Sequence, residues 1–350
     1  AHEAPQKALL AKKGAEVCGD CHDVSRDPAS KSVHKPFGEG DCAGCHNPHG
    51  SQVAHLLGPR RQMQSTPVGQ IFTYPKIDST SVSLCKTCHA QELEVWQAKS
   101  IQHLPARNGE CSACHSPHQS PNGTLLSKAT SELCQGCHDP AGIPSEPHRG
   151  INLASADCAQ CHDPHASDKK GLLKANAHAP FADGSCDACH TAPGSVTLTA
   201  AQPDLCLMCH EDMQSQLALP VAHAPAGGGE CTACHNPHTS NEKALLAGKV
   251  TSVCGSCHEE SLGKYDHAPY EEGNCVRCHA PHGSQNPALL VKSANGLCLE
   301  CHTTLAERLR TETRHGAIEK GCLACHAGHA SDNNSLLKSP PSELCSTCHD

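Results

Sequence analysis

The string Cys-x-x-Cys-His occurs fourteen times in 350 residues and takes up every one of the 28 cysteines. The pairs are Cys18 and Cys21, Cys42 and Cys45, Cys85 and Cys88, Cys111 and Cys114, Cys134 and Cys137, Cys158 and Cys161, Cys186 and Cys189. They continue as Cys206 and Cys209, Cys231 and Cys234, Cys254 and Cys257, Cys275 and Cys278, Cys298 and Cys301, Cys322 and Cys325, Cys345 and Cys348. The closing histidines are His22, His46, His89, His115, His138, His162, His190, His210, His235, His258, His279, His302, His326 and His349. Two thiols about one helical turn apart, followed directly by an imidazole, form the attachment string of c-type haem: the sulfurs bond the vinyl groups and the histidine meets the iron. Zinc knuckles share Cys-x-x-Cys but require no histidine after each pair, and disulfides explain neither feature. With 29 histidines in the chain, chance placement after all fourteen pairs has odds of roughly 1 in 10^15. Fourteen covalently bound haems c, each with its iron, are the expectation.

Composition agrees from the opposite direction. The chain has 3 Phe, 3 Tyr and 1 Trp against 28 Gly and 25 Pro, too few large side chains to fill a core and too many helix and strand breakers. Such poverty ordinarily signals disorder. Porphyrins instead supply the apolar bulk. The expected fold is mostly irregular loop with short α-helices and little β, a repeat-built chain of closely packed haems forming the core. Net charge is −9 with no basic run, which argues against nucleic acid as a partner. With ionised propionates, the haem-loaded chain would carry about −23.

Fifteen histidines lie outside the strings, in two sets. His34, His103, His178, His223 and His267 each stand eight residues before a first cysteine; His148 stands ten before Cys158 and His315 seven before Cys322. His49, His118, His165, His238, His282 and His329 each follow a string histidine by three, after Pro in all but the last, where Gly328 intervenes. Seven residues beyond each comes a Leu pair, the first being Leu56-Leu57. His2 is followed at the same distance by Leu9-Leu10 and joins this second set. Fourteen candidate distal ligands therefore match fourteen strings, so most irons are expected to be six-coordinate with two histidines. His55 is spare and is expected at the surface or beside a ligand. Offsets do not say which iron each distal histidine meets.

The strings alternate between those after an aliphatic residue, as at Leu84-Cys85, and those after a polar residue or Gly, as at Asp41-Cys42. Two strings form one repeat. Residues 1–170 are expected to form an N-terminal array of six strings, with a loop or hairpin insertion at about 50–84 carrying Arg60, Arg61 and Ile71–Tyr74. Residues 171–350 would hold eight strings, with a continuous haem chain across the joint. Near the joint, Cys158 and Cys186 are consecutive polar strings, and Thr191–Gly194 stands where Pro-His is expected. One haem near Cys186 or Cys206 is therefore the candidate to lack a ligand. Slightly longer helices are expected at Glu92–Lys99, with Trp96 over a haem, and at Thr304–Arg310.

The run Asp41-Cys42-Ala43-Gly44-Cys45-His46-Asn47-Pro48-His49, then a Leu pair, then Leu84-Cys85-Lys86-Thr87-Cys88-His89, resembles the doubled CxxCH multihaem cytochromes. That resemblance covers essentially the whole chain. It implies electron transfer through packed haems, in a family of periplasmic carriers, outer-membrane conduits and polymerised extracellular filaments. The reading preferred from the sequence is extracellular long-range electron transfer, with a nanowire-like filament as one form. Its alternatives are the haem subunit of an outer-membrane porin–cytochrome complex and a periplasmic carrier. An oxyanion reductase with one open haem is the rival from another class; two protein ligands per iron argue against it, and no catalytic residue is assigned. Partners would be redox proteins or terminal acceptors, a porin, or further copies joined end to end. The chain begins Ala1-His2-Glu3 without a leader, and the expectation is export with the signal removed.

Overall fold

The computed structural model describes residue 12 and residues 14–51, 53–58, 62–66, 69–73, 82–144, 148 and 151–349. His2, Leu9-Leu10, Arg60, Arg61 and Tyr74 lie outside the described residues. The chain divides into two units, Ala1–Ala175 and Asn176–Asp350.

Within each unit one small module recurs. A two-residue strand leads into a pre-string histidine, which caps a single helical turn such as Leu104–Asn108 or Ala179–Ala182. Pro at the start of these turns fixes the first helical φ and removes a donor that would lack a partner. The polar string follows as a 3-10 turn, for example Cys111–Ala113, whereas aliphatic strings sit on short α-helices such as Thr130–Gln135 and Val250–Gly255. Only Cys275–Cys278 among the polar strings is α-helical. Among the described residues the sheet content is small: five ladders of two residues per strand, and one longer hairpin. That hairpin pairs Gln62–Thr66 with Gly69–Thr73, as expected for the insertion. Each short ladder joins successive repeats, as Ser32–Val33 does with Gln119–Ser120.

The two expected longer helices run Ala90–Gln97, shifted two residues toward the N-terminus, and Thr303–Thr311, one residue longer at each end; Ala294–Cys301 is as long as the first. Trp96 stacks on the His165 ring, 4.0 Å between centroids and 12° from parallel, so it backs a ligand candidate.

Side chains alone build almost no core. Leu93 and Ala166 are the buried apolar residues among those described, and Ser120 is the largest side chain fully enclosed. The other buried polar side chains among the described residues are Ser167, Thr239, Ser240, Ser284 and Ser331, all on the short strands. A chain that buries serines while leaving Leu56 and Leu173 more than a third exposed cannot gain the roughly 25 cal/mol per Å² of apolar burial that normally offsets chain entropy.

Candidate haem-ligating sites

The histidine rings meet in twelve pairs, with centroids 5.8–6.3 Å apart. A metal–imidazole bond of about 2.0 Å plus about 1.1 Å from nitrogen to ring centre, doubled, gives about 6.2 Å. Each pair is thus spaced to bracket one iron. Among the described residues no group of three or more His, Cys, Asp or Glu is arranged to hold a metal ion. Two axial imidazoles suit haem, whose macrocycle supplies the other four ligands.

The pairing follows a register. Aliphatic-string histidines face pre-string histidines: His89 faces His34, His138 His103, His210 His178, His258 His223, His302 His267 and His349 His315. A pre-string histidine thus passes over the polar string it precedes and meets the aliphatic string that follows. Polar-string histidines face the Pro-His-type residue of the next repeat: His46 faces His118, His115 His165, His190 His238, His235 His282 and His279 His329.

Backbone carbonyls set the tautomer. The Nδ1–H of a polar-string histidine donates to the carbonyl nine residues on: His46 to His55 at 2.8 Å, His115 to Thr124, His162 to Gly171, His235 to Ala244, His279 to Ala288 and His326 to Ser335. Pre-string histidines donate likewise, His34 to Pro117, His103 to Pro164, His178 to Pro237, His223 to Pro281 and His267 to Gly328. With Nδ1 committed, Nε2 is the nitrogen left for iron, and the bond fixes ring orientation. Burial holds His118, His165, His238, His282 and His329 below the usual imidazole value, which favours the neutral, ligating form.

The Leu pairs make this possible. Leu56, Leu125, Leu172, Leu245, Leu289 and Leu336 adopt φ between 54° and 58°, and the residue before each turns the same way. This tight left-handed turn, unusual for leucine, aims the carbonyl at the string histidine. His55 occupies that turn position beside His46, so its carbonyl serves the site and its ring stays exposed. A serine two residues after each Pro-His-type histidine closes the loop. Ser240 Oγ donates to the Leu246 carbonyl and accepts the Glu242 N–H, with the same arrangement at Ser120, Ser167, Ser284 and Ser331. Sequence reasoning missed these serines, although their fixed offset was visible. It also missed the use of scarce aromatics: Phe37, Trp96, Phe181 and Tyr270 back His118, His165, His238 and His329 at 4.0–5.4 Å.

The irregular strings are not short of partners, contrary to expectation. His190 faces His238 and His210 faces His178, while His162 takes His148. Residue 158's repeat has no aliphatic string, which leaves His148 unclaimed; the next repeat has no Pro-His, which would leave His162 without a partner. The two departures cancel. His190 still pays locally: its loop bridges to Leu198, three residues early, and its buried Nδ1 has no partner. Among the described residues, the rings without a facing histidine are His22, His49, His55 and His326.

Consecutive strings also touch. Cys85 and Cys111 thiols hydrogen-bond one another, which pushes Cys85 up and Cys111 down to about 6. First cysteines meet in the same way at Cys18 and Cys42, Cys134 and Cys158, Cys206 and Cys231, Cys254 and Cys275, and Cys298 and Cys322. Glycine permits the approach: Gly273 has φ +73°, and a Cβ there would lie 2.2 Å from Thr251 Cγ2. Haems bonded to such sulfurs would be neighbours. A cavity of about 510 Å³ beside Cys322 is lined by Leu299, Leu309 and Ile318 with Arg310 and Arg314, an apolar slot with guanidinium groups suited to propionates.

The sequence pattern of the doubled CXXCH motif family matches residues 1–27, 34–94, 103–142, 152–177, 178–215, 223–262, 267–307 and 315–350. Among characterised proteins, the multiheme cytochrome MtrA of Shewanella baltica (strain OS185) is 28% identical over 134 residues, 38% of this chain. That match spans 34% of the relative's length.

Proposed function

The chain belongs to the doubled CXXCH motif family of multihaem c-type cytochromes, and on that premise we propose that it carries fourteen haems c as a bis-histidine electron conductor. Its general role is electron transfer, and it groups with electron-transfer cytochromes and not with enzymes. The observation that carries the finer reading is the set of twelve facing imidazole pairs. When bound, haem supplies an iron that cycles between two oxidation states. The chain's own residues do the rest. Each cysteine pair would anchor a porphyrin edge, each imidazole pair would supply two nitrogen ligands to the iron, and the carbonyl bonds to Nδ1 would hold the polar-string and pre-string rings in place, His190 excepted. Little reorganisation and two facing imidazoles at twelve of the strings favour transfer over catalysis.

Of the settings open to this family, the similarity to a multiheme cytochrome favours the haem subunit of an outer-membrane porin–cytochrome complex, or a periplasmic carrier, over an extracellular polymer. Among the described residues no helix is long and apolar enough to cross a membrane, so a conduit role would require a separate barrel partner. Export is part of this proposal because the settings implied by the resemblance all lie outside the cytoplasm; attachment itself needs both thiols of each string free, as they are here. Intact mass is the test of loading: fourteen haems would add about 8.4 kDa at about 0.6 kDa each to the 36.7 kDa polypeptide. Co-purification with a β-barrel protein from outer membranes tests the setting; recovery in shed filaments without one would favour the polymer.

A further inference from the structure

An imidazole that meets iron through Nε2 is a stronger donor when an acceptor holds its Nδ1–H, and a stronger donor favours the oxidised iron. The acceptors therefore rank the sites. In residues 176–349 the Cys231 pair has two: His235 Nδ1–H donates to the Ala244 carbonyl at 2.8 Å, and His282 Nδ1 lies 3.3 Å from Gln216 Oε1. The Cys275 pair also has two, the Ala288 carbonyl 2.8 Å from His279 Nδ1 and Ser261 Oγ 3.4 Å from His329 Nδ1. The aliphatic pairs of Cys206, Cys254 and Cys298 each have one, on His178, His223 and His267. Their string histidines His210, His258 and His302 are exposed to water.

The Cys186 pair has none. His190 Nδ1 is buried and without a partner, and the cause is the length of its loop. That loop closes on Leu198, three residues sooner than the loops from His235 to Leu246 and from His279 to Leu290. It holds no counterpart of the left-handed pairs Ala244-Leu245 and Ala288-Leu289. Val196, two residues before the closing leucine as Ala244 is, stands 92% exposed. The loop's polar groups bond one another instead: the Thr191 N–H donates to the Thr197 carbonyl and the Thr197 N–H to Ser195 Oγ, both at 3.0 Å. On the facing side His238 is half-buried against Phe181, 5.4 Å between ring centroids, and its Nδ1 has no acceptor among the described residues. Every other polar-string pair among the described residues has at least one carbonyl on Nδ1.

Two further effects bear on the same site. Burying the rings without acceptors lowers the local polarity, which disfavours the extra positive charge of the oxidised iron and works in the same direction. Asp187, inside the Cys186 string, works against it, because a carboxylate favours the oxidised form. Asp187 is exposed, so salt and water screen it over about 8 Å. The missing bonds act on the ligand rings themselves and prevail.

We infer that the short loop at residues 191–198 makes the Cys186 site the most readily reduced of the three polar-string sites with facing imidazoles in residues 176–349, ahead of Cys231 and Cys275. The loop is a positioning element that acts through His190 by withholding a carbonyl. The conductor is then not level within this unit: an electron shared among these three sites comes to rest at Cys186. This rests on the haem reading above and adds to it an order of reduction.

The experiment is a spectroelectrochemical titration of the haem-loaded protein in which a single charge marks a single site. Asp187→Asn removes a carboxylate from the Cys186 string, and Thr232→Asp and Val276→Asp place one at the same position in the Cys231 and Cys275 strings. All three residues are exposed, so each variant should fold and displace one component of the titration. The component displaced by Asp187→Asn should be half reduced at a higher potential than the components displaced by the other two. Three residues inserted between Gly194 and Ser195 should bring it down toward them, with Asp187→Asn repeated in that background to follow it. A Cys186 component at or below either of the others overturns the proposal, and this comparison needs no change in the loop. A component that lies above them but ignores the insertion overturns the role given to the loop. In both cases a mass with fourteen haems leaves the conductor reading standing; a mass without haem sinks both.

Discussion

Residues 223–349 and residues 148–210 are built from the same parts, but only the first stretch has them in strict order. In the first, each repeat carries a pre-string histidine, a polar string, a Pro-His-type residue and an aliphatic string. In the second, an aliphatic string is missing after His165 and a Pro-His is missing after His190. The facing rings are nonetheless complete there, because His148 turns to the string it precedes. The lesson is that register yields in residues 148–210 and every string histidine there keeps one facing imidazole. The cost falls on His190, whose shortened loop supplies no carbonyl to its Nδ1.

The largest test of this comparison removes what both stretches share. Blocking haem attachment should leave the chain unfolded throughout, with loss of helical circular dichroism and rapid proteolysis, since the buried side chains are mainly small and polar. Next, His148→Ala and His267→Ala should each open one haem, at Cys158 and Cys298 respectively, giving one equivalent of carbon monoxide binding per chain. If the His148 variant opened none, the compensating register would be broken. A smaller effect is expected from Ser240→Ala, which strands the Leu246 carbonyl and the Glu242 N–H. It should cost about 1–3 kcal/mol in denaturant unfolding of the loaded protein. The smallest effect is electronic. Lengthening the loop at residues 191–197 by three residues should restore a carbonyl to His190, raise its basicity and lower the potential of the Cys186 haem. Spectroelectrochemistry would read that shift, and no equivalent change should follow the same insertion after His235.

Attachment sites were legible in the sequence because a covalent string is local: both cysteines and the closing histidine lie within five residues. The distal set was legible as a set, from fixed offsets and matched totals. Its pairing was not, since His118 reaches His46 from a different repeat and the offset of His34 from Cys42 points to the wrong string. Short ladders such as Ile101–Gln102 with Ala166–Ser167 have no periodicity to announce them; two residues are too few for alternation. In the sequence the Leu pairs only mark the repeat, while their backbone carries the function: Leu245 and Ala244 take left-handed φ and turn a carbonyl onto His235. His55, expected at the surface or beside a ligand, is both: its ring is exposed and its carbonyl accepts from His46 Nδ1.

The central claim is that twelve imidazole pairs each enclose one iron. Carbon monoxide titration of the fully reduced, haem-loaded protein, counted against haem content from intact mass, tests it most directly. At least twelve of the fourteen haems should refuse the ligand, with binding confined to those of Cys18 and Cys322, whose histidines face no ring among the described residues. Binding at three or more haems would contradict the account.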